Sequence, residues 1–232
     1  MSYFSTDTYA FLTELKEHIQ REWLLENKER YEEHVRTPAL QFVSAAAPAM
    51  AKINEYLVAD PRPSGGSLFR IHRDLRFSRD KTPYNPEIAI QIGHREARSR
   101  AAPGYFLQIS PGLNKSGGGI HTASSADLNL VRDAIVAKPG VWRRSLSTAS
   151  TRYWHELRPD SLQRVPRGCP AHHPCAGDLK RTSFFLMVSR TRRTAGAIDA
   201  ENALLRRSTW ARCKNPGRDA AQTANVSRGS TT

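Results

Sequence analysis

The sequence has few cysteines and no long apolar run. Its 232 residues include three cysteines, a small and odd number that gives no disulfide framework and is typical of a reducing compartment. No apolar stretch approaches the length that spans a membrane, and the N-terminus lacks the pattern of a signal peptide. We therefore expect a cytoplasmic protein without a membrane partner.

The common catalytic and cofactor-binding motifs are also missing. The chain has no G-x-S-x-G elbow, no H-E-x-x-H helix and no G-x-G-x-x-G fingerprint. The segment PGLNKSGGGI at 111–120 lacks the glycine spacing of a Walker loop, and its glycines predict a flexible hairpin loop. Motifs thus leave open whether the protein is an enzyme and which cofactor, if any, it uses.

One short cluster imitates a metal site. Cys169, His172, His173 and Cys175 lie close together in the sequence, and Cys213 is the only other thiol. Zinc sites usually take their ligands as two separated pairs, and this chain has no second pair. We therefore predict no metal site.

Positive charge is in excess in both parts of the chain. Residues 181–232 contain ten Lys/Arg and three Asp/Glu, and residues 1–180 contain 25 and 19. More than half of the net charge of +13 thus lies in the last part of the sequence. Such an excess makes nucleic acid a candidate partner, bound by the domain surface and the C-terminal residues.

Hydrophobic spacing predicts helices on both sides of a group of strands. Helical spacing from Leu12 to Trp23 predicts a first helix, capped by Ser5, Thr6 or Asp7. A second helical region with a break or kink at Pro48 follows from about Glu26. A third helix is expected at about 125–138. Strands are expected at 68–75, 88–92, 105–110 and 183–188. This order predicts an α+β fold, with the N-terminal helices packed on a mostly antiparallel sheet.

The most informative stretch is LFRIHRDLRFSRDKTPY at 68–84, which interleaves charged and apolar residues. If 68–75 is a strand, alternation places Phe69, Ile71, Arg73 and Leu75 on one face, toward the core, and the intervening residues on the other. The turn-like composition of 78–83 then puts the next charged and aromatic residues on a loop after the strand: Asp80, Lys81 and Tyr84.

The chemistry of this stretch suggests a site for an anionic group. Guanidinium groups bind phosphate and carboxylate bidentately, so the candidate ligand-binding residues are Arg70, Arg73, Arg76 and Lys81. Carboxyl, imidazole and phenol groups exchange protons, so the candidate catalytic residues are Asp74, Asp80, His72 and Tyr84.

Two other interpretations stay open. In the first, the chain binds nucleic acid through its basic surface and tail. In the second, the charges form an internal ion-pair network in a structural or partner-binding protein.

The same stretch resembles the hallmark FRI-x-RD-x-RFS-x-DK-x-PY of a widespread family of conserved hypothetical proteins from bacteria and fungi, domain-of-unknown-function family 2461. Further similarities extend in order from about residue 9 to 185, among them Pro103-Gly104-Tyr105, Pro166-Arg167-Gly168 and His173-Pro174. The resemblance implies a compact α+β domain in which the charged stretch is the best candidate site. It implies no particular activity, because none is established for the family.

The resemblance ends at Arg190. We expect residues 1–189 to form the α+β domain and residues 190–232 to form a basic tail, either disordered or produced by a reading-frame shift near residue 189. The tail is rich in Arg, Ala, Thr and Ser, whereas the family is expected to continue with acidic, helix-forming sequence. A genuine basic arm that binds nucleic acid is the alternative.

Overall fold

A computed structural model of the protein describes residues 3–76, 80–95, 102–120, 124–150, 156–157 and 161–191. The N-terminal helices are α1 (Thr6–Glu17), α2 (Arg21–Glu26), α3 (Lys28–Tyr31) and, after a π-helical turn (Glu32–Arg36), α4 (Thr37–Ile53). The next elements are the strands β1 (Leu57–Val58), β2 (Ile88–His94), β3 (Gly104–Ile109) and β4 (Leu113–Ile120). The last elements are α5 (Ser125–Ala137), α6 (Pro139–Ser150), β5 (Glu156–Leu157), α7 (Ala176–Leu179) and β6 (Phe184–Thr191).

The strands form a six-stranded sheet in the order β1-β2-β3-β4-β6-β5. Every pairing between these strands is antiparallel. The α+β class with N-terminal helices on an antiparallel sheet is therefore confirmed, as are the strands predicted at 88–92, 105–110 and 183–188 and the helix predicted at 125–138.

The N-terminal helices cover one face of the sheet. Ser5 caps α1, because its hydroxyl accepts hydrogen bonds from the backbone N–H groups of Asp7 and Thr8. The buried residues of α1 and α4 share one hydrophobic core with the inward-facing residues of β2 and β3, and Ile88, Ile90 and Ile92 alternate into it.

A π-helical turn connects α3 to α4. Such a turn shifts the backbone hydrogen bonds, and here the fully buried Thr8 donates its hydroxyl to the carbonyl of His34 at 2.7 Å. A break or kink is expected at Pro48, and the break is absent because α4 continues through this residue to Ile53. Burial of residues such as Phe42 and Met50 along one face of α4 offsets the loss of a backbone hydrogen bond at the proline.

The glycine-rich segment is a strand, so the flexible hairpin loop predicted there is wrong. Gly117, Gly118 and Gly119 lie in β4 and pair with both β3 and β6. A methyl group at Gly117 would lie 2.3 Å from Cε1 of Phe185. Gly119 has a φ of +136°, and a methyl group there would meet the Phe184 carbonyl oxygen at 2.1 Å. The glycines are needed because β6 approaches this closely.

A second hydrophobic cluster joins α5 and α7 to the start of β6 through residues such as Leu128, Leu179 and Phe184. The guanidinium of Arg132 is buried beside it and donates to the carbonyls of Leu179 at 2.9 Å and Arg181 at 3.0 Å. It thereby satisfies backbone acceptors where α7 ends.

No helix in the described part of the chain is long and apolar enough to cross a membrane. Arg190 and Thr191 belong to β6, and the rest of the expected tail, 192–232, lies outside the described residues.

Candidate functional site

The hallmark stretch forms an irregular two-stranded ribbon at the start of β2. We call residues 68–76 and 80–87 the charged ribbon; residues 77–79 lie outside the described part. The ribbon has two isolated β-bridges, from Leu68 to Ile90 and from His72 to Tyr84. The first arm has three residues between the bridges and the second has five, so the two arms lose register. The regular strand expected at 68–75 is therefore absent.

Proline helps to explain this irregularity. Pro83 and Pro86 lie on the second arm, where neither can donate a backbone hydrogen bond. The carbonyl of Pro83 still accepts from the N–H of Arg73 at 2.9 Å, and the N–H of Asn85 donates to the carbonyl of Ile71 at 2.8 Å. These two bonds hold the arms together around His72 and Tyr84.

Arg73 links the two arms through its side chain. Its Nη1 atom donates to the carboxylate of Asp80 and to the hydroxyl of Thr82, the latter at 2.7 Å. Asp80 also accepts the backbone N–H of Thr82 at 2.9 Å. Hydrogen bonds from the backbone and the hydroxyl of Thr82, followed by the bond from Arg73, lower the pKa of Asp80 to about 2.

Asp74 and Arg76 form an ion pair within one arm. The Nε and Nη2 atoms of Arg76 lie 3.0 and 2.6 Å from the two carboxylate oxygens of Asp74, and the Arg76 backbone N–H also donates to this carboxylate. The bond from the Arg76 side chain is the main cause that lowers the pKa of Asp74; the charge of Arg70 contributes less. Arg76 is 77% exposed, so the pair lies in solvent.

The other two basic residues differ in their contacts. Lys81 donates to the backbone carbonyl of Leu75 at 3.0 Å, which ties the second arm to the first. Arg70 is exposed and makes no hydrogen bond or ion pair with any residue that the structure describes. Of the four predicted anion ligands, three make hydrogen bonds within the ribbon, whereas Arg70 makes none to the described residues and acts on Asp74 only through its charge.

His72 and Tyr84 lie opposite each other across the ribbon. Their ring centroids are 5.1 Å apart and the ring planes meet at 71°. His72 is exposed, whereas Tyr84, expected on a loop after the strand, is 3% exposed and belongs to the core. Ile71 is buried as expected, but Phe69, which was expected on the same core-facing side, is 51% exposed.

The ribbon carries four basic groups and three carboxylates, those of Asp74, Asp80 and Glu87, among its described residues. Hydrogen bonds lower the pKa of Asp74 and of Asp80, and such carboxylates are weak bases near neutral pH. The geometry therefore suits charge recognition better than proton abstraction. The catalytic roles of Asp74, Asp80, His72 and Tyr84 stay predictions.

Thr82 is a site residue that sequence reasoning missed. It contacts both Arg73 and Asp80, and its position two residues after an aspartate is the spacing at which an Asp side chain accepts a backbone N–H. This spacing is the signal in the sequence from which Thr82 could have been found.

No group of three or more His, Cys, Asp or Glu side chains in the described ranges is placed to hold a metal ion. Cys175 is buried in the second hydrophobic cluster, and its backbone N–H donates to Nδ1 of His173 at 3.1 Å.

A family model described as conserved hypothetical protein (DUF2461) matches residues 7–208. The chain belongs to this family. The DUF2461 match extends past residue 189, and the division of the chain into a domain and a tail at that position stays a prediction. No curated protein and no solved structure matches the chain.

Proposed function

We propose that this DUF2461 protein binds a small anionic group, a phosphate or a carboxylate, at the charged ribbon. The observation that carries the proposal is the exposed guanidinium of Arg70, which makes no hydrogen bond or ion pair in the described part of the chain, beside a slight excess of basic over acidic groups. An anion could therefore accept hydrogen bonds from Arg70 without displacing a carboxylate that already accepts them.

The contacts within the ribbon support this proposal because they hold basic groups in place before a ligand arrives. Arg73 is held through Nη1 alone, and its Nε and Nη2 atoms make no hydrogen bond to the described residues. A guanidinium fixed at one nitrogen loses less side-chain entropy when the others bind an anion. We propose that Arg70 and Arg73 contact the ligand, and that Lys81 and Arg76 add positive charge.

The ion-pair network is the second candidate, and a specific observation favours it. Arg73, Arg76 and Lys81 all have partners inside the ribbon. On this interpretation the hallmark only stabilises the fold, and substitutions in it change stability without changing any response to a ligand.

A thermal-unfolding screen separates the two candidates. The wild-type chain is heated with phosphate, sugar phosphates, dicarboxylates or short nucleic acids, because a ligand that binds the native state raises the unfolding midpoint. The test variants are Arg70→Ala and Arg76→Ala. The matched control is Arg62→Ala, because Arg62 pairs with Asp60 two residues away, as Arg76 pairs with Asp74, but outside the ribbon.

Anion binding predicts a midpoint that rises with phosphate in the wild type and in Arg62→Ala, and a smaller rise in both ribbon variants. If no anion raises the wild-type midpoint, or if all variants respond equally, the anion site on the ribbon is wrong, and lower midpoints in the ribbon variants than in Arg62→Ala then favour the network.

A further inference from the structure

The part of the chain around the second hydrophobic cluster is strongly basic. Residues 138–150 and 161–183 contain seven Lys/Arg and one Asp/Glu, a net charge of +6. The next acidic residues that the structure describes along the chain are Asp133 on α5 and Glu156 on β5. Five of the seven basic residues are exposed, and we call them the basic patch: Lys138, Arg143, Arg144, Arg164 and Arg167.

Contacts between separate segments hold the patch together. Trp142 and Val165 pack on the same hydrophobic cluster, and each lies next to an arginine of the patch in the sequence. The guanidinium of Arg143 donates to the carbonyl of Pro174 at 2.9 Å, so α6 lies against the segment that leads into α7. The basic residues of α6 and of the segment before α7 therefore surround one small core.

Arg164 and Arg167 are the members of the patch best placed to bind a ligand. They lie at a turn in which the N–H of Cys169 donates to the carbonyl of Pro166 at 3.2 Å. Both side chains are exposed, and neither makes a hydrogen bond or ion pair to the part of the chain that the structure describes. Two guanidinium groups are thus available to bind phosphate oxygens bidentately.

The one carboxylate of residues 138–150 and 161–183 is neutralised within the fold. Asp178 accepts from Nε1 of Trp142 at 2.8 Å and from Nε of Arg181 at 2.9 Å. Trp142 also packs edge-on against Phe184, with the ring centroids 5.7 Å apart, and it is the only Phe, Tyr or Trp of these two ranges. The patch therefore presents positive charge without an exposed ring on which an unpaired base could stack.

We infer that the basic patch binds the phosphate backbone of double-stranded nucleic acid. Release of counterions from the phosphates drives such binding, and it is independent of sequence because no base edge is read. A duplex is the better ligand, because it carries more phosphates per unit length than a single strand and needs no ring for its bases. The inference does not rest on the proposed anion site, since the charged ribbon pairs with β2, three strands away from β6.

Fluorescence anisotropy with labelled short duplexes of DNA and RNA, and with their single strands, tests this inference on the full chain. The test variant combines Arg164→Ala with Arg167→Ala. The matched control combines Arg21→Ala with Lys28→Ala, which removes two exposed charges from α2 and α3 whose side chains likewise make no hydrogen bond or ion pair to the described residues.

Loss of two phosphate contacts is expected to lower the slope of log affinity for a duplex against log salt by about 1.8. Between about 50 and 200 mM salt, the affinity of the test variant should therefore fall about tenfold less than that of the wild type. The control variant should keep the wild-type slope.

Three results would overturn the inference: no duplex binding by the wild type, a wild-type slope in the test variant, or tighter binding of single strands than of duplexes. Vesicles of phosphatidylserine and phosphatidylcholine and a poly-glutamate peptide are the competing probes. Tighter binding of either one than of the duplex would assign the patch to that partner instead. Arg70→Ala should keep the wild-type slope, so a failure of phosphate to raise the unfolding midpoint contradicts the anion site alone.

Discussion

Arg73 donates through Nη1 to the carboxylate of Asp80, and this ion pair joins the two arms of the charged ribbon on either side of residues 77–79. The side chain of Arg73 is 27% exposed and that of Asp80 is 53% exposed, so solvent screens the pair and its main effect is on geometry. It holds the Arg73 guanidinium at a fixed place within the ribbon.

The Asp80 carboxylate predicts a loss of stability in acid. Because its pKa is lowered from 3.8 to about 2 in the folded protein, its stabilising contribution is fully present above pH 4 and is lost as the pH falls toward 2. Asp80→Asn should therefore flatten the fall in unfolding free energy between about pH 4 and pH 2. Chemical denaturation at several pH values in this range measures the unfolding free energy, and the exposed Asp133→Asn is the control. An identical acid dependence in Asp80→Asn and the wild type would contradict the assignment.

The buried guanidinium of Arg132 predicts a large stability effect. Arg132→Met should lower the unfolding free energy by about 3 kcal/mol, because the carbonyls of Leu179 and Arg181 lose their donor in a buried region. Urea denaturation measures this change in unfolding free energy. Arg143→Met is the control, since Arg143 also donates to a carbonyl, that of Pro174, but is exposed. Similar losses in the two variants would show that burial of Arg132 is not the cause.

The close approach of β6 to β4 predicts that Gly117 cannot carry a side chain. Gly117→Ala should destabilise the protein by about 1–3 kcal/mol, because the new methyl group would meet the Phe185 ring at 2.3 Å and the Leu186 carbonyl oxygen at 2.8 Å. Gly112→Ala is the matched control, since nothing lies within 4 Å of a methyl group there. The thermal unfolding midpoints of Gly117→Ala and Gly112→Ala are compared, and equal midpoints would contradict the close packing of β6 against Gly117.

Ser183 offers a prediction of the opposite sign. Its hydroxyl is buried and has no hydrogen-bond partner in the described part of the structure. Ser183→Ala removes this unpaired polar group and should raise the unfolding free energy by about 1 kcal/mol. A clear loss of stability, measured by urea denaturation, would show that the hydroxyl does have a partner.

Sequence patterns predicted the regular parts of this fold because local chemistry determines them. The apolar residues from Ile88 to Ile92 predict β2, and the cap candidates Ser5, Thr6 and Asp7 predict the start of α1, where Ser5 is the cap. Composition predicts a loop for the glycines of β4, because their role depends on Phe185, a long-range contact that composition does not show. Composition likewise predicts a break or kink at Pro48, because the packing that keeps α4 helical through this residue is a tertiary effect.

The residues of the candidate site were visible in the sequence, but their pairing was not. Arg73 has two acidic candidates nearby, the adjacent Asp74 and the more distant Asp80, and only the fold of the ribbon selects Asp80. Alternation also failed for Phe69, because the ribbon loses the register that a regular strand would keep.

The reading-frame hypothesis for residues 190–232 has its own test at the level of the gene. We expect one of the other two frames to encode acidic, helix-forming sequence after residue 189. If neither does, the present C-terminal sequence is genuine.

Titration calorimetry of phosphate against wild-type protein, Arg70→Ala and Arg62→Ala is the most direct test of the anion site. Arg70 is exposed and makes no hydrogen bond or ion pair to the described residues, so its removal should leave the fold intact and affect mainly the ligand. We predict saturable binding in the wild type and in Arg62→Ala, and binding weakened at least about tenfold in Arg70→Ala, which corresponds to the loss of one charge-assisted hydrogen bond. No saturable heat in the wild type, or equal affinities in all three proteins, would contradict an anion site on the charged ribbon.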